Sequence, residues 1–235
     1  MKVDKNLFAK NSSWSFDKNV PKEFDKHIYK SVPMYHQMHW LCEELSDFYI
    51  KNDSTIYDIG CSTGALIKKL SERHKNKKKT KFIGIDIVDK MIKFAKKNNN
   101  AKNINFIKKD LTNYKFKNSD FIISFYTMQF IRPRDRQNLI NKIFKSLNWG
   151  GALFLAEKVR SYDARTQEQM TTIYEEFKLF NGFSEKEITA KKKSLKGILE
   201  PFSSNANIQM LKRAGFKDVS SVAKFICFEG FLAIK

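Results

Sequence analysis

The sequence predicts an α/β fold with a doubly wound, mostly parallel seven-stranded sheet. Two observations lead to this class. From Ser54 onward, short apolar runs alternate with amphipathic segments of helical period, as strands and crossover helices do in parallel sheets. The chain has 235 residues, 42% of them hydrophobic, which is enough for one domain with a full core.

The elements follow one another regularly as far as residue 158. Five strands are predicted, over residues 54–60, 80–86, 103–111, 120–130 and 149–158. Amphipathic helices are predicted over residues 65–74, 88–100 and 134–148. Because crossovers between parallel strands are right-handed, helices are expected on both faces of the sheet.

Two segments depart from this rhythm. Residues 1–50 begin as a polar stretch and continue with helical spacing, which Pro33 starts or interrupts. Residues 158–202 are charged, aromatic and helical, and are predicted to form an insertion before the last two strands. Residues 205–235 then predict a helix that stops at Gly215, followed by two strands. A single domain over residues 1–235 is expected.

The chain is strongly basic. Lys and Arg total 44 against 25 acidic residues, a net charge of +19. This excess fits attraction to RNA or to a multiply anionic small molecule. Compositional drift towards lysine explains it equally well, so the charge alone does not establish nucleic-acid binding.

Cysteine usage and hydropathy favour a cytoplasmic location. Cys42, Cys61 and Cys227 are too widely spaced for a disulfide framework or a zinc site, which is typical of a reducing compartment. No apolar run reaches the ~18 residues of a membrane-spanning helix. The N-terminus lacks the apolar stretch of a secretory signal, so neither export nor membrane attachment is expected.

The stretch YDIGCSTGA, residues 57–65, places an acid and two glycines at the end of the first strand. Gly60 and Gly64 permit a tight turn and the close approach of a ligand to backbone N–H groups. The pattern D-x-G-C-S-x-G differs from the three-glycine fingerprint of dinucleotide-binding loops. A ligand is favoured over an empty glycine turn.

Two further acids strengthen this interpretation. Asp86 ends the second strand, where a carboxylate can accept hydrogen bonds from both ribose hydroxyls of a nucleoside. Asp110 ends the third strand, where it can accept from an adenine amino group, and Leu111 supplies an adjacent N–H. With Asp58, acids therefore stand at three successive strand ends. Ligands bind beyond the carboxyl ends of strands in such sheets.

These features resemble the Rossmann-like class I S-adenosyl-L-methionine (SAM)-dependent methyltransferase fold. In that superfamily the first glycine loop holds the methionine part of SAM, the second acid holds the ribose, and the third holds the adenine. The resemblance implies that SAM is the ligand and that no metal is required.

A closer resemblance covers nearly the whole chain. The blocks S-V-P-x-Y (residues 31–35), Q-F-x-x-P-x-x-R-Q (129–137) and N-G-F-S-x-x-E-I-x-x-K (181–191) are similar to those of the carboxy-SAM synthases of bacterial tRNA wobble-uridine modification. The resemblance implies that prephenate is used to add a carboxyl group to the methyl carbon of SAM. It also implies a homodimer, and a partner tRNA carboxymethyltransferase that uses the product, carboxy-SAM.

The family's binding residues can be transferred to matching positions. The resemblance assigns the methionine part to Tyr35, Gly60, Cys61 and Ser62 beside Asp58, the ribose to Asp86 and Ile87, and the adenine to Asp110 and Leu111. Two positions depart from the family pattern: its carboxylate-binding arginine is Lys192 here, and its cofactor-contacting asparagine is Phe125. Lysine keeps the charge but lacks the two-pronged guanidinium.

Two other functions stay open because of these departures. One is a conventional SAM-dependent methyltransferase that acts on a small molecule or RNA. The other is a non-catalytic protein that binds a nucleoside, tRNA or a partner enzyme.

Several other residues are predicted to be structural. Cys61 has no histidine partner suited to a nucleophile, and His36 and His39 are expected at a surface or interface rather than at a metal. A structural role is favoured for the arginines at the start of the 134–148 helix, and packing onto the core or a dimer partner for four aromatic residues of the two irregular segments. These residues are Arg132, Arg134 and Arg136, and Trp40, Phe177, Phe180 and Phe183.

Overall fold

The computed structural model describes residues 20–235, without the side chains of residues 20–22. The helices in this range are α1 (Val20–Ser31), α2 (Tyr35–Ser46), α3 (Ala65–Arg73), α4 (Asp89–Asn98), α5 (Pro133–Ser146), α6 (Ala164–Phe180), α7 (Glu185–Ser194) and α8 (Ser204–Ala214). The strands are β1 (Thr55–Ile59), β2 (Lys81–Asp86), β3 (Ile104–Lys108), β4 (Ser119–Phe125), β5 (Leu147–Lys158), β6 (Asp218–Phe225) and β7 (Phe228–Ile234).

The strands form one sheet in the order β3-β2-β1-β4-β5-β7-β6. Strands β1 to β5 are parallel, and β7 runs antiparallel to both β5 and β6. The chain moves outward from β1 to β3 and then returns to the other side of β1 with β4. This reversal opens a crevice beyond the carboxyl ends of β1 and β4, where ligands bind in doubly wound sheets. The predicted fold class is confirmed.

Two apolar layers cover the two faces of the sheet. Because successive side chains of a strand point to opposite faces, Ile56 packs with α2, α3 and α4, and its neighbour Tyr57 packs in the layer that includes α5 and α8. Ile122 and Ile123 of β4 divide in the same way, and all four side chains are fully buried. Burial on both faces explains why β4 is a continuous apolar run.

Both irregular segments are helical within the described residues. Helices α1 and α2 are separated by a turn that contains Pro33, and α6 and α7 lie between β5 and α8. The two segments meet where the Tyr174 hydroxyl of α6 donates a hydrogen bond to the Ser31 carbonyl of α1, at 2.8 Å. Residues 1–19 of the predicted N-terminal segment lie outside the described residues. None of the helices within residues 20–235 has the length and apolar character needed to span a bilayer.

Three predicted strand boundaries were wrong by two residues or more. β3 ends at Lys108 instead of residue 111, because Asp110 begins a short 3₁₀ turn. β4 ends at Phe125 instead of residue 130, because Tyr126 has a left-handed backbone with φ of 56° that cannot continue a strand. β5 begins at Leu147, two residues before the predicted start, where it pairs with Ser119 of β4.

Substitution of Gly64 tests how tightly the loop after β1 packs on the sheet. It precedes α3 with φ of 77°, and a Cβ there would lie 2.6 Å from a Phe106 ring carbon. Gly64→Ala should therefore destabilise the protein by ~2 kcal/mol more than Gly182→Ala, as measured by urea unfolding. Gly182 is the matched control, since it has φ of 88° and open space around the added Cβ. Equal decreases in the free energy of unfolding of the two variants would contradict the tight contact between Gly64 and Phe106.

Candidate active site

A cavity of about 1770 Å³ lies at the carboxyl ends of the parallel strands. It exceeds the ~300–1000 Å³ of ordinary small-molecule pockets, so it has room for a nucleoside and a second compound. Every site residue predicted from the sequence lies on its wall. These residues are Tyr35, Asp58, Gly60, Cys61, Ser62, Asp86, Ile87, Asp110, Leu111, Phe125 and Lys192.

The glycine loop turns its N–H groups into the protein. Gly60 and Cys61 both donate to the Ile85 carbonyl, at 2.7 and 3.0 Å, and Ser62 donates to Asp86 Oδ2 at 2.9 Å. The expectation that this loop presents its N–H groups to a ligand is therefore wrong for these three residues. A loop with its donors used in this way is unlike the N–H nests that hold phosphates. It suits a neutral or cationic ligand better than an anion.

Asp86 is held with its carboxylate at the cavity wall. Oδ2 accepts from the Ser62 N–H at 2.9 Å and Oδ1 accepts from the Val88 N–H at 2.8 Å. Each oxygen keeps further capacity to accept a hydrogen bond, as two ribose hydroxyls would require. Burial raises the pKa of Asp86 above its ordinary value. The next side chain, Ile87, is 61% exposed although it is apolar, and it lies on the same wall.

Asp110 lies two residues beyond the end of β3. Its Oδ1 accepts from both the N–H and the hydroxyl of Thr112, at 2.8 and 2.7 Å. Both bonds use one oxygen, so Oδ2 remains for an amino group. Leu111 is buried beside it in the apolar layer below.

Asp58 is buried at the floor of the cavity with 2% of its surface exposed. Burial, and then the charge of the nearby Asp86, raise its pKa to about 7. Within residues 20–235 no cationic side chain forms a salt bridge with it. A buried carboxyl without a cation is a fitting partner for a ligand ammonium group, which would favour its ionised form.

Aromatic rings also line the cavity. The ring of Phe125 lies edge-on to those of Tyr35, His39 and Tyr126, with centroid distances of 5.4, 4.6 and 4.6 Å. Ring faces attract cations, sulfonium groups included. His39 is buried, and desolvation lowers its pKa to about 3, so the expectation that it lies at a surface is wrong. His36 stacks on Tyr29 with centroids 4.0 Å apart.

Lysines also line the cavity. Lys192 is exposed and forms a salt bridge with Glu175, with Nζ and Oε1 3.1 Å apart. The sequence interpretation missed four other lysines on the wall, among them Lys158 at the end of β5 and Lys178 on α6; the other two are Lys191 and Lys196. The position of Lys158 at a strand end was an available signal, whereas nothing in the local sequence marks Lys178.

Most of the remaining candidates are structural. Burial raises the pKa of the Cys61 thiol well above its ordinary value, which disfavours a nucleophilic thiolate. Arg136 is buried and donates to the Ile131 and Gln129 carbonyls at 2.8 and 3.1 Å. Phe183 is buried and packs edge-on against His27, with centroids 5.3 Å apart.

The other aromatic and arginine candidates lie closer to solvent. Trp40 and Phe180 are 59% and 90% exposed, and Phe177 is half-buried. Arg132 borders the cavity, and Arg134 is an exposed residue whose Nε lies 3.8 Å from Asp135. In the described part of the chain, no group of three or more His, Cys, Asp or Glu side chains is arranged to hold a metal ion.

Titration of Asp58 should make the ligand-free protein less stable as the pH rises. Its pKa increases from 3.8 to about 7 on folding, so between these values the folded protein keeps a proton that the unfolded chain has released. The contribution of Asp58 to the free energy of unfolding is therefore complete below the unfolded-state pKa of 3.8. It is lost as the pH rises towards the folded-state pKa of about 7, at ~1.4 kcal/mol per pH unit. In urea unfolding across this pH window, the free energy of unfolding of Asp58→Asn should fall less steeply with pH than that of the wild type.

Asp89→Asn is the matched control for this measurement. Asp89 lies at the protein surface, and its hydrogen bond to Lys93 lowers its pKa, so it does not titrate in the same window. A pH profile of Asp58→Asn identical to that of the wild type would contradict the buried, protonated carboxyl.

The fold has many relatives among solved structures. A chain of the complex between the Haloferax volcanii Trm112 methyltransferase activator and a putative methyltransferase superposes with a TM-score of 0.65 at 13% identity, covering 96% of this chain and 98% of that one. Human N-acetylserotonin methyltransferase superposes with a TM-score of 0.63 at 16% identity, covering 92% and 56%. These likenesses show the fold alone.

Sequence comparisons are more specific. A family model described as a methyltransferase domain matches residues 56–151. A carboxy-S-adenosyl-L-methionine synthase of Staphylococcus epidermidis is 37% identical over 223 residues, covering 94% of this chain and 97% of the relative. One from Campylobacter hominis is 39% identical over 224 residues, covering 94% of each chain. The chain therefore belongs to the carboxy-S-adenosyl-L-methionine synthase family, a group of transferases built on the class I methyltransferase fold.

Proposed function

We propose that this protein converts SAM and prephenate to carboxy-SAM and phenylpyruvate, and so supplies the carboxymethyl donor for modification of the tRNA wobble uridine. The observation that carries the proposal is that one cavity is lined both by the strand-end acids with neighbouring aromatic rings, here called its acidic half, and by lysines of β5, α6 and α7, here called its lysine-rich half. Relatives with near-complete coverage named as carboxy-SAM synthases support the same reaction.

The acidic half fits SAM. Asp86 would accept from the ribose hydroxyls, Asp110 Oδ2 from the adenine amino group, and Asp58 would pair with the ammonium of the methionine part. The rings of Tyr35 and Phe125 would face the sulfonium. The loop donors are used internally, which is consistent with a ligand that brings no phosphate.

The chemistry asks the protein mainly for positioning and exclusion of water. Bound SAM supplies an acidic methyl group on its sulfonium, and prephenate supplies carbon dioxide and the hydroxide that takes up the methyl proton. Both must stay beside the methyl carbon until the new bond forms. Helices α1, α6 and α7 all contribute residues to the wall, including Ser31, Tyr174 and Lys192, so they can cover the reacting groups.

The assembly and partners belong to the same proposal. A homodimer is supported by large apolar side chains at the surface, such as Trp149 and Phe180, which are 88% and 90% exposed. A tRNA carboxymethyltransferase in the cytoplasm would consume the product. Direct contact of this chain with tRNA is an open extension, for which the net charge of +19 is the only support in the sequence.

Mass spectrometry of the small molecules formed by the purified protein tests the reaction. Incubation with SAM and prephenate should produce a nucleoside heavier than SAM by one carboxyl group, together with phenylpyruvate, and heat-inactivated protein is the control. S-adenosylhomocysteine without the carboxylated product would contradict the proposal in favour of a conventional methyltransferase. Failure to bind any adenosyl compound would contradict it in favour of a non-catalytic protein.

Lys192 should discriminate between the two nucleosides. Lys192→Ala is expected to weaken carboxy-SAM binding about tenfold, or ~1.4 kcal/mol, through loss of one charged contact, and to leave SAM binding unchanged. Calorimetric titration with each compound measures both. Lys193→Ala is the matched control because Lys193 is its exposed neighbour on α7 and lies off the cavity wall. If Lys192→Ala weakened the binding of SAM and of carboxy-SAM equally, the role of Lys192 in holding the added carboxyl group would be contradicted.

A further inference from the structure

Two ammonium groups share one aromatic ring in the lysine-rich half of the cavity. Lys158 Nζ and Lys178 Nζ lie 4.4 and 4.3 Å from the ring centroid of Tyr174. The ring is anchored, since its hydroxyl donates to the Ser31 carbonyl at 2.8 Å. The three residues come from the end of β5 and from α6, and all of them line the cavity.

Neither lysine has an acidic partner within residues 20–235. The nearby carboxylate of Glu175 forms its salt bridge with Lys192, at 3.1 Å. Desolvation by burial, and then repulsion by the charge of Lys158, lower the pKa of Lys178 to about 8. Cation–π contact with Tyr174 offsets part of this repulsion, but a bound anion would offset it more completely.

A third donor, the hydroxyl of Tyr126, belongs to a residue that lines the same cavity. The Tyr126 hydroxyl is buried and has no hydrogen-bond partner in the described part of the chain. The ring packs edge-on against Phe228 at 5.5 Å, and Phe228 in turn contacts Tyr174 at 5.3 Å. Tyr126 also has a left-handed backbone, with φ of 56°, which tyrosine adopts only at an energetic cost. Tyr126 is thus connected to the ring that carries both lysines through Phe228, and its unpartnered hydroxyl is a donor that a ligand anion could use.

We propose that Lys158, Lys178 and Tyr126 form the subsite that holds a carboxylate of the second substrate, a small dianion. This inference rests on the proposed function and deepens it, since it names the side chains that hold prephenate. Tyr126 follows Phe125 at the end of β4, and its N–H bonds to the Ala156 carbonyl of the adjacent β5 at 2.7 Å. The subsite therefore adjoins the aromatic wall, and an anion held there lies beside the nucleoside half.

The arrangement also separates the roles of the lysines. Lys158 and Lys178 are unpaired in the described structure, whereas Lys192 is 66% exposed and engaged with Glu175. Prephenate carries two carboxylates, one of which leaves as carbon dioxide. The subsite would hold the carboxylate that is retained in phenylpyruvate, and Lys192 would face the carboxyl group that is transferred.

Steady-state kinetics of methionine variants test the subsite. Lys158→Met and Lys178→Met keep the apolar stems and remove the charges, so each should raise the KM for prephenate at least tenfold and leave the Kd for SAM unchanged. Lys186→Met is the matched control, because Lys186 is exposed on α7 and lies off the cavity wall. An unchanged KM for prephenate in both cavity variants would overturn the proposal.

Tyr126→Phe distinguishes a binding role from a structural one. Removing a buried hydroxyl that has no partner should preserve or raise the melting temperature of the ligand-free protein and should raise the KM for prephenate several-fold. A lower melting temperature with an unchanged KM would overturn the role of this hydroxyl in binding.

The subsite can fail independently of the reaction. If the wild-type protein with bound SAM forms no carboxy-SAM, the proposed function fails. Calorimetric titration of that SAM-loaded protein with prephenate, and with inorganic phosphate as a second probe, then tests the subsite alone. Binding of either anion that Lys158→Met abolishes would support an anion subsite, and the absence of binding by the wild type would overturn it.

Discussion

The site depends on one carboxylate that joins two strand ends. Asp86, the last residue of β2, accepts hydrogen bonds from the Ser62 N–H of the loop after β1 and from the Val88 N–H before α4. These bonds hold the glycine loop in shape and orient the acid towards the cavity. Burial, and then the charge of Asp86, raise the pKa of Asp58 to about 7. Two adjacent buried acids are costly, and a cationic ligand is the natural compensation.

The cavity separates opposite charges along the sheet. Acids lie at or just beyond the carboxyl ends of β1, β2 and β3, lysines lie at the end of β5 and on α6 and α7, and aromatic residues lie at the end of β4, which is between β1 and β5 in the sheet. A cationic nucleoside and an anionic partner are therefore drawn to neighbouring places within one enclosure. This arrangement supplies orientation, which is the main requirement of a reaction whose reagents come from the substrates themselves.

The two departures from the family pattern have different structural consequences. Phe125, where the resemblance implies an asparagine, packs against Tyr35 and His39 as part of an aromatic cluster. Lys192 keeps a positive charge but is engaged by Glu175. The loss of a polar contact at the first position can be offset by ring–cation attraction. Because Lys192 is engaged by Glu175, binding of the substrate anion depends more on the other cations in the cavity.

Local patterns in the sequence determined the succession of strands and helices in the parallel core, the glycine loop and the acids at strand ends, because period and turn residues are local properties. Boundaries near Asp110 and Tyr126 were wrong because a side-chain cap and a left-handed backbone decide them. The pairing of Lys158 with Lys178 around Tyr174 was beyond sequence reasoning, since it unites a strand end and a helix of the insertion. The elevated pKa of Asp58 likewise required the structure, because burial and the distance to Asp86 arise only when the strands assemble.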